Sequence, residues 1–462
     1  MPSEFQVGAP PPATYTPALP TVLTPPPAGK GVAFNAAVNL EPGYTEEEFL
    51  LSGTANIYEH DGERRLVVKA TGRPYTTRIL VRYPTDPARF SGVINVDFLH
   101  PEIGGQSLWM FGRDYITRKG NAYIQMTLSR EVHNPLISGP PMSAARRLKE
   151  FDPVRYAAIE FEDYGVNWDI MSQVGRLIRT DSPLNPLRAY IPKQSIAGGW
   201  SGSGAVTLFY INEGFHARAK LPDGSNIYDG YLVGEPSWYP RINAACTDAD
   251  DLPEVHPMQL VQPRDAPAIS LYSMGVTTLM GRHRRRPDSD APDDRYRMYM
   301  VGGSGHVGRA HLAEMAAAAV DRPPSNYPIG AFPLDHYFAL TLDHLARWSA
   351  GGFTPPRAEP LQFGDDGKLA LDEDRNPVGG VRSVQLDVPT AGNFPNSGSM
   401  FAGMNSARVP LSGETLRARY GDEAGYVARV TRRAGELVAE GWLLPEDVDD
   451  VVAEARAFRF PD

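Results

Sequence analysis

The sequence predicts an α/β fold: a mostly parallel central sheet covered by helices on both faces. Two observations carry this. Between residues 93 and 349, short β-branched or apolar runs alternate with stretches of helical periodicity. Ahead of them lie segments rich in β-branched and aromatic residues, bounded by turn formers. The composition is compatible, since 42% of the 462 residues are hydrophobic and 22% charged, the usage of an ordinary folded chain with a large core.

Nine of the first thirty residues are proline, so residues 1–42 read as an extended arm that either wraps the body or hangs free. Strand signals follow at Phe49–Ala55, Arg65–Val68 and Tyr75–Tyr83, the last closed by Pro84. The alternating part begins with the strand Val93–Leu99. Next come the helix Leu108–Lys119, stopped at Gly120, and the strand Ala122–Thr127. A helix over Asn167–Thr180 places Ile170, Val174, Leu177 and Ile178 on one face. Then come the strand Ser195–Gly199 and a helix from Gly202 to Ile211. Further strands are expected at Ile227–Val233, Ala268–Tyr272 and Tyr296–Val301, and helices at Arg309–Val320 and Asp335–Ser349. These elements make residues 43–350 the core, with residues 236–267 as a cap segment that sets specificity. Residues 351–405 form an irregular connector rich in Gly, Pro and Asp. The tail is helical, with Ser412 as an N-cap, a stop at Gly421, an apolar face from Tyr426 to Val438 and a last helix opened by Pro445. Residues 351–462 are expected to pack on the core as an extension.

A net charge of −10 disfavours nucleic acid as a partner, because phosphate contacts need a basic face. Cys246 is the single cysteine, which excludes an internal disulfide and a cysteine-based zinc site. No run is apolar and long enough to span a bilayer, and residues 1–30 lack a secretory pattern. The expectation is a cytoplasmic protein acting on a small molecule, with no membrane partner, no metal and no cofactor.

The chemistry centres on Gly198-Gly199-Trp200-Ser201-Gly202-Ser203-Gly204, between a short apolar strand and a helix of small residues. A nucleophile elbow needs that context: the turn is so tight that the residues beside the nucleophile must be small. Ser201 would stand above the sheet, and the Gly202 N–H at the start of the next helix would stabilise an oxyanion. A serine nucleophile needs a base, and in an α/β-hydrolase fold the chain order is Ser, acid, His. His306 follows the strand Met298–Val301 through a glycine-rich turn and is the candidate base. For the acid, Glu235 ends the strand Ile227–Val233 at its carboxyl edge. Asp288 and Asp290 are rivals in a polar loop, and a Ser–His dyad with water is a further alternative. Gly303-Ser304-Gly305-His306-Val307-Gly308 matches a dinucleotide fingerprint, but a proline-rich loop stands where the second strand and its acidic residue should be.

These residues resemble the large bacterial family described as "alpha/beta hydrolase domain" proteins, mostly assigned as serine hydrolases, from about Gly43 to Phe458. The resemblance is carried by Gly43–Phe49, Ser52–Ala55, Pro74–Arg82, Asp86–Gly92, Asp169–Gln173, the G-x-S-x-S-G elbow, Gly379–Arg382, Asp387–Pro389, Tyr420-Gly421 and Leu443–Asp447. It implies Ser201 as nucleophile and His306 as base. Two positions depart from the family pattern. Gly202 stands where Gln is common after the serine, and Met274 stands where a Glu usually follows the Ser that closes the penultimate strand. The acid therefore does not transfer by position, which leaves Glu235. Leu99-His100-Pro101-Glu102 replaces an Asn-containing turn, with Leu99 and His100 as candidates for the second oxyanion donor. Trp200, Glu102, Trp238 and Tyr239 are the expected pocket residues. The leading reading is a serine hydrolase that cleaves a carboxylic ester or lactone through an acyl-enzyme. The alternative is a catalytically silent or non-hydrolytic scaffold that binds or rearranges a small molecule, as Met274 would suit.

Overall fold

The computed structural model describes the chain except residues 1–4, 39, 102–103, 129–142, 237, 244–251, 253–255, 282–283 and 318–323, so Cys246 and Glu102 lie outside the described residues. The chain divides into two compact units. The first comprises residues 1–268 and 290–295, and the second residues 269–289 and 296–462.

In the first unit the proline-rich arm wraps the body. The Tyr15 N–H donates to the Arg218 carbonyl, and the Lys220 N–H donates back to Tyr15. One short stretch free of proline, β1 (Val22–Thr24), pairs antiparallel with β2 (Tyr44–His60). The Phe34 and Asn35 carbonyls accept from Arg78 and Arg82, both 0% exposed. A buried guanidinium must have its donors satisfied. Arg78 also reaches Glu48 and Gln125, and Arg82 reaches Glu46 and Gln106, so arm and sheet are tied through charge.

β2 and β3 (Leu66–Pro84) form one long antiparallel hairpin, whose turn is closed by the Asp61 carboxylate accepting from the Glu63 and Arg65 N–H groups. The segments expected as separate short strands are thus parts of two long ones. β3 also pairs antiparallel with β5 (Ala122–Met126), and near its middle with the two-residue β6 (Glu160–Phe161). From β5 the sheet is parallel, through β4 (Val93–Phe98) and β7 (Gln194–Trp200) to β8 (Gly230–Gly234). Residues of both parities in β4, β5, β7 and β8 are buried, as required of strands covered on both faces. The helices are α1 (Ser107–Lys119), α2 (Ala144–Phe151), α3 (Asn167–Leu177), α4 (Gly202–Asn212) and the single turn α5 (Phe215–Arg218). α1 ends where Gly120 adopts a left-handed φ of 73°.

The second unit takes the carboxyl half of β9 (Arg264–Ser273), followed by the one-turn α6 (Met274–Val276). After the short β10 (Ser289–Ala291) comes β11 (Asp294–Val301), the neighbour of β9. α7 (Arg309–Ala317) and α8 (Leu334–Ala350) follow. The connector after residue 350 is more ordered than its composition suggested. It holds α9 (Val384–Asp387) and an antiparallel pair, β12 (Ala391–Pro395) with β13 (Ser406–Pro410), spanning α10 (Met400–Gly403). Leu361 and Leu369 from this connector share an apolar cluster with Tyr272, Met274 and Met300. The tail helices α11 (Gly413–Tyr420), α12 (Glu423–Glu440) and α13 (Val448–Ala457) pack around Leu416, Tyr426, Val430, Leu437 and Val451. Arg309 at the start of α7 bonds to Asp450 and Glu454 of α13. Among the described residues, no helix is long and apolar enough to cross a membrane.

Candidate active site

Ser201 follows β7 and precedes α4 with φ 59° and ψ −120°, a conformation that non-glycine residues rarely adopt. Such strain costs about 1–3 kcal/mol and persists only where the surroundings over-determine it. Here they do. The Ser201 N–H donates to the Gly234 carbonyl at 2.9 Å. A Cβ on Gly204 would lie 1.8 Å from that same carbonyl oxygen, and one on Gly199 would lie 2.5 Å from the Ser203 side chain. Strand β8, the turn and α4 therefore pack at a separation that only glycine allows. Ser203, the departure from G-x-S-x-G, braces the turn. Its hydroxyl accepts from the Trp200 N–H and donates to the Trp200 carbonyl, both at 2.9 Å, and lies 3.0 Å from the Ser107 hydroxyl. Ser107 was not singled out by sequence reasoning, because its role depends on a contact across 96 residues.

The structure gathers three further predicted residues in the first unit. Glu235 follows the Gly234 that anchors Ser201. It is 0% exposed and has φ 41°, a second strained non-glycine residue beside the elbow. His100 and Trp238 lie over Gly202. A Cβ there would come 2.4 Å from His100 Nε2 and 2.8 Å from Trp238 Cη2, and the two rings stand 6.3 Å apart in an edge-on arrangement. Ser201, His100 and Trp238 are each only partly buried.

The backbone N–H groups of Leu99 and His100, the two residues expected to supply the second oxyanion donor, are both engaged within the fold. The Leu99 N–H donates to the Met126 carbonyl at 3.1 Å, continuing the ladder beyond β4. The His100 N–H donates to the Gly105 carbonyl at 3.0 Å, closing a tight loop. The loop is held further by the Gly104 N–H on the His100 carbonyl and by the Asn35 amide on the Gly104 carbonyl. Two expected pocket residues belong to the core instead. Trp200 is 4% exposed, packed on Gly234 and edge-on to Phe111. Tyr239 is 1% exposed, with its ring on Phe209 and its hydroxyl donating to Glu213. Beneath the elbow, Asp97 of β4 stands in register with Gly198 and accepts from Tyr123 and the Leu108 N–H. Burial drives its carboxyl up to about 7.

In the second unit His306 stands on the turn after β11. Its N–H donates to the Met404 carbonyl, and the next N–H donates to the Asn405 side chain. A Cβ on Gly305 would lie 2.7 Å from Asn405, and one on Gly308 would lie 2.8 Å from Leu334 Cβ, so these fingerprint glycines abut protein atoms. Burial and the nearby His306 together hold His311 down at about 4. Met274 is 0% exposed inside the apolar cluster, and the Ser273 hydroxyl caps the α6 turn by accepting from Val276. Asp288, a rival acid from the polar loop, accepts from the Met298 N–H and faces Arg297 at 3.8 Å. Among the described residues no group of three or more metal-ligating side chains forms a site.

The model of the family described as alpha/beta hydrolase domain matches residues 21–453. No protein of curated function matches the sequence. Among solved structures, the chain is similar to esterase Est22, at 10% identity over 67% of this chain and 81% of that one, with a TM-score of 0.35. It is also similar to a ferulic acid esterase from Streptomyces cinnamoneus, at 13% identity over 58% and 78%, with a TM-score of 0.28. Esterase B from Lactobacillus rhamnosis matches at 12% identity over 57% and 77%, with a TM-score of 0.30. Likenesses this distant carry no statement about activity.

Proposed function

Because the chain belongs to the alpha/beta hydrolase domain family, we propose that it is a serine hydrolase that cleaves a carboxylic ester or lactone of a small molecule through an acyl-enzyme on Ser201. The observation that carries this reading is the backbone of Ser201, held at φ 59° between β7 and α4 by packing that leaves no room for a Cβ at 199 or 204. A turn needed only to connect β7 to α4 has no use for such strain.

In the proposed reaction the Ser201 oxygen attacks the carbonyl carbon and its proton passes to His306, the base by chain order. The carbonyl π pair moves onto oxygen, and the Gly202 N–H donates to that oxyanion. Collapse of the intermediate restores the C=O bond and expels the alkoxide, which takes the proton from His306. Water then repeats the sequence on the acyl-enzyme, releasing the acid and the free serine. Glu235 is the proposed partner of the imidazolium, and Trp238 a wall of the acyl pocket.

A second reading, a scaffold that binds without hydrolysing, is favoured by the apolar burial of Met274. One experiment separates the two. A fluorophosphonate probe is expected to label the wild-type protein and not Ser201→Ala, and that variant should lose at least about 10⁴-fold in turnover on any ester the parent cleaves while melting normally. Absence of labelling in the wild type would favour the scaffold.

A further inference from the structure

We propose that the His100 side chain supplies the second oxyanion donor, through its Nε2–H, in place of a backbone N–H. The inference rests on Ser201 being the nucleophile. In this fold one oxyanion donor is the N–H of the residue after the nucleophile, and the other comes from the loop between the core strand and helix ahead of it. Here that loop is the one from β4 to α1, and the backbone N–H groups of Leu99 and His100 at its start are already given to Met126 and Gly105. What this loop delivers to the elbow is the imidazole. Its Nε2 lies 2.4 Å from where a Gly202 Cβ would be, hence no more than about 4 Å from the Cα of the residue that carries the first donor.

The absence of a side chain at 202 and the presence of the ring are one feature. Any residue but glycine would bring a Cβ to 2.4 Å from Nε2 and 2.5 Å from Cε1, so the ring would have to shift. The backbone that carries the ring is held in place. His100 closes its loop through two backbone bonds with Gly104 and Gly105, and the Asn35 amide clasps Gly104 from the arm. The Ala144 N–H donates to the carbonyl of the adjacent Pro101 at 2.6 Å. An oxyanion donor is useful to the extent that it is fixed before charge develops. Both the neutral ring protonated at Nε2 and the imidazolium can donate there, so the ring needs to lose no proton in the reaction. It hydrogen-bonds to the oxygen that receives the π pair, and it releases that oxygen when the carbonyl re-forms.

The test uses the full chain and steady-state hydrolysis of a p-nitrophenyl ester. His100→Ala is expected to lower kcat by about 10²–10³-fold with little change in KM, and to leave the pH profile's midpoint in place. His100→Gln, which keeps an N–H donor at similar reach, should recover at least tenfold of that loss. Gly202→Ala retains the backbone donor but crowds the ring out of its position. It should cost a similar factor in the wild type and far less in the His100→Ala background, a coupling read as a double-mutant cycle. A His100→Ala enzyme within threefold of wild-type kcat overturns the proposal. So does a Gln variant as inactive as the Ala variant, or loss of the lower pH limb on removing the ring, which would make His100 a base. Fluorophosphonate labelling of the wild type at Ser201 reports on the nucleophile separately, so a failure of the donor is told apart from a failure of the nucleophile.

Discussion

The turns that end β7 and β8 in the first unit and β9 in the second solve the same local problem in opposite ways. Ser201 and Glu235 both hold left-handed backbones that glycine would adopt more cheaply, and both follow strands whose last residues are in register, Trp200 opposite Gly234. Ser273, by contrast, has φ −76°, caps its own turn and is followed by Met274 buried among apolar side chains. One region stores strain to present polar groups, while the other is relaxed and filled. Strain persists only where something keeps it, so the chemistry is expected in the first unit's turns, and Met274 is a packing residue.

The bluntest way to break this comparison is to remove what keeps the second unit's turn filled. A chain ending at Ala350 loses Leu361 and Leu369, which cover Met274, and the Val381 bridge to Val301. It also loses Asp450 and Glu454, the partners of Arg309. The truncated protein is expected to be insoluble or to lose its cooperative melt. A shortened chain that melts like the full one would show that the segment contributes nothing to the β9 turn.

Glu235→Gln tests the first region. If the buried carboxylate orients His306 and stabilises the imidazolium, its amide should favour the wrong tautomer and lower turnover by up to about 10⁴-fold, close to 5.5 kcal/mol of transition-state stabilisation. If Glu235 merely fills a strained corner, kcat should fall less than tenfold and the change should appear in melting instead.

Much of this contrast could be read in the sequence, and the unread part has physical reasons. Gly199, Gly202 and Ser203 around Ser201 announced the elbow because steric demand selects residue types directly. Ser412 and Gly421 marked α11 for the same reason, since caps are local. The β12–β13 pair was hidden because its strands are five residues each inside a Gly- and Asn-rich stretch, and their partner is unknown until the chain folds. The arm's course was hidden because it depends on two arginines of β3 reaching back to residues 34 and 35. Leu99 and His100 could be named as candidate donors from their place in the loop, but only tertiary contacts show that their backbone N–H groups are engaged. Gly202 could be singled out as an oxyanion donor and as a departure from the family's Gln, but the ring packed against its missing side chain belongs to a residue about a hundred positions away.

Met274→Glu asks whether the relaxed turn can be returned to the family's pattern. A carboxylate placed in that apolar cluster lacks solvent, so its pKa rises on folding. The variant should lose on the order of 4 kcal/mol at pH 7 and less at pH 5, because a folded pKa above the unfolded value costs stability as pH rises through it. Chemical denaturation at the two pH values reads this out. A variant as stable as the parent at pH 7, with faster ester hydrolysis, would mean that the second unit retains a vacant acid position and that Met274 does more than pack.

The smallest expected effect lies one layer beneath the elbow, where the first unit keeps a carboxyl that the second would have replaced by an apolar group. Asp97 is 0% exposed, in register with Gly198, and its carboxyl is pushed by burial to about 7 despite accepting from Tyr123 and the Leu108 N–H at 2.9 Å each. A folded pKa above the unfolded value near 4 means that the native state holds the proton more tightly. The associated stability is therefore fully present below about pH 4 and is lost as pH rises through about 7. Asp97→Asn keeps one oxygen, and that suffices because Tyr123 and the Leu108 N–H both donate to the same Oδ2; it removes the titration. Its stability should change little between pH 5 and pH 8, whereas the wild type should fall by about 2 kcal/mol relative to it over that interval, measured as a shift in urea midpoints. Because Oδ1 has no hydrogen-bond partner among the described residues, the amide N–H groups that would replace it are buried unpaired, and the variant is expected to be the less stable protein at pH 5 and to draw level or pass the wild type by pH 8. Parallel stability curves would show that Asp97 stays ionised when folded. The carboxylate would then be carried by its two donors and the Arg82 charge, and the first unit would tolerate a buried anion under its nucleophile at no pH-dependent cost.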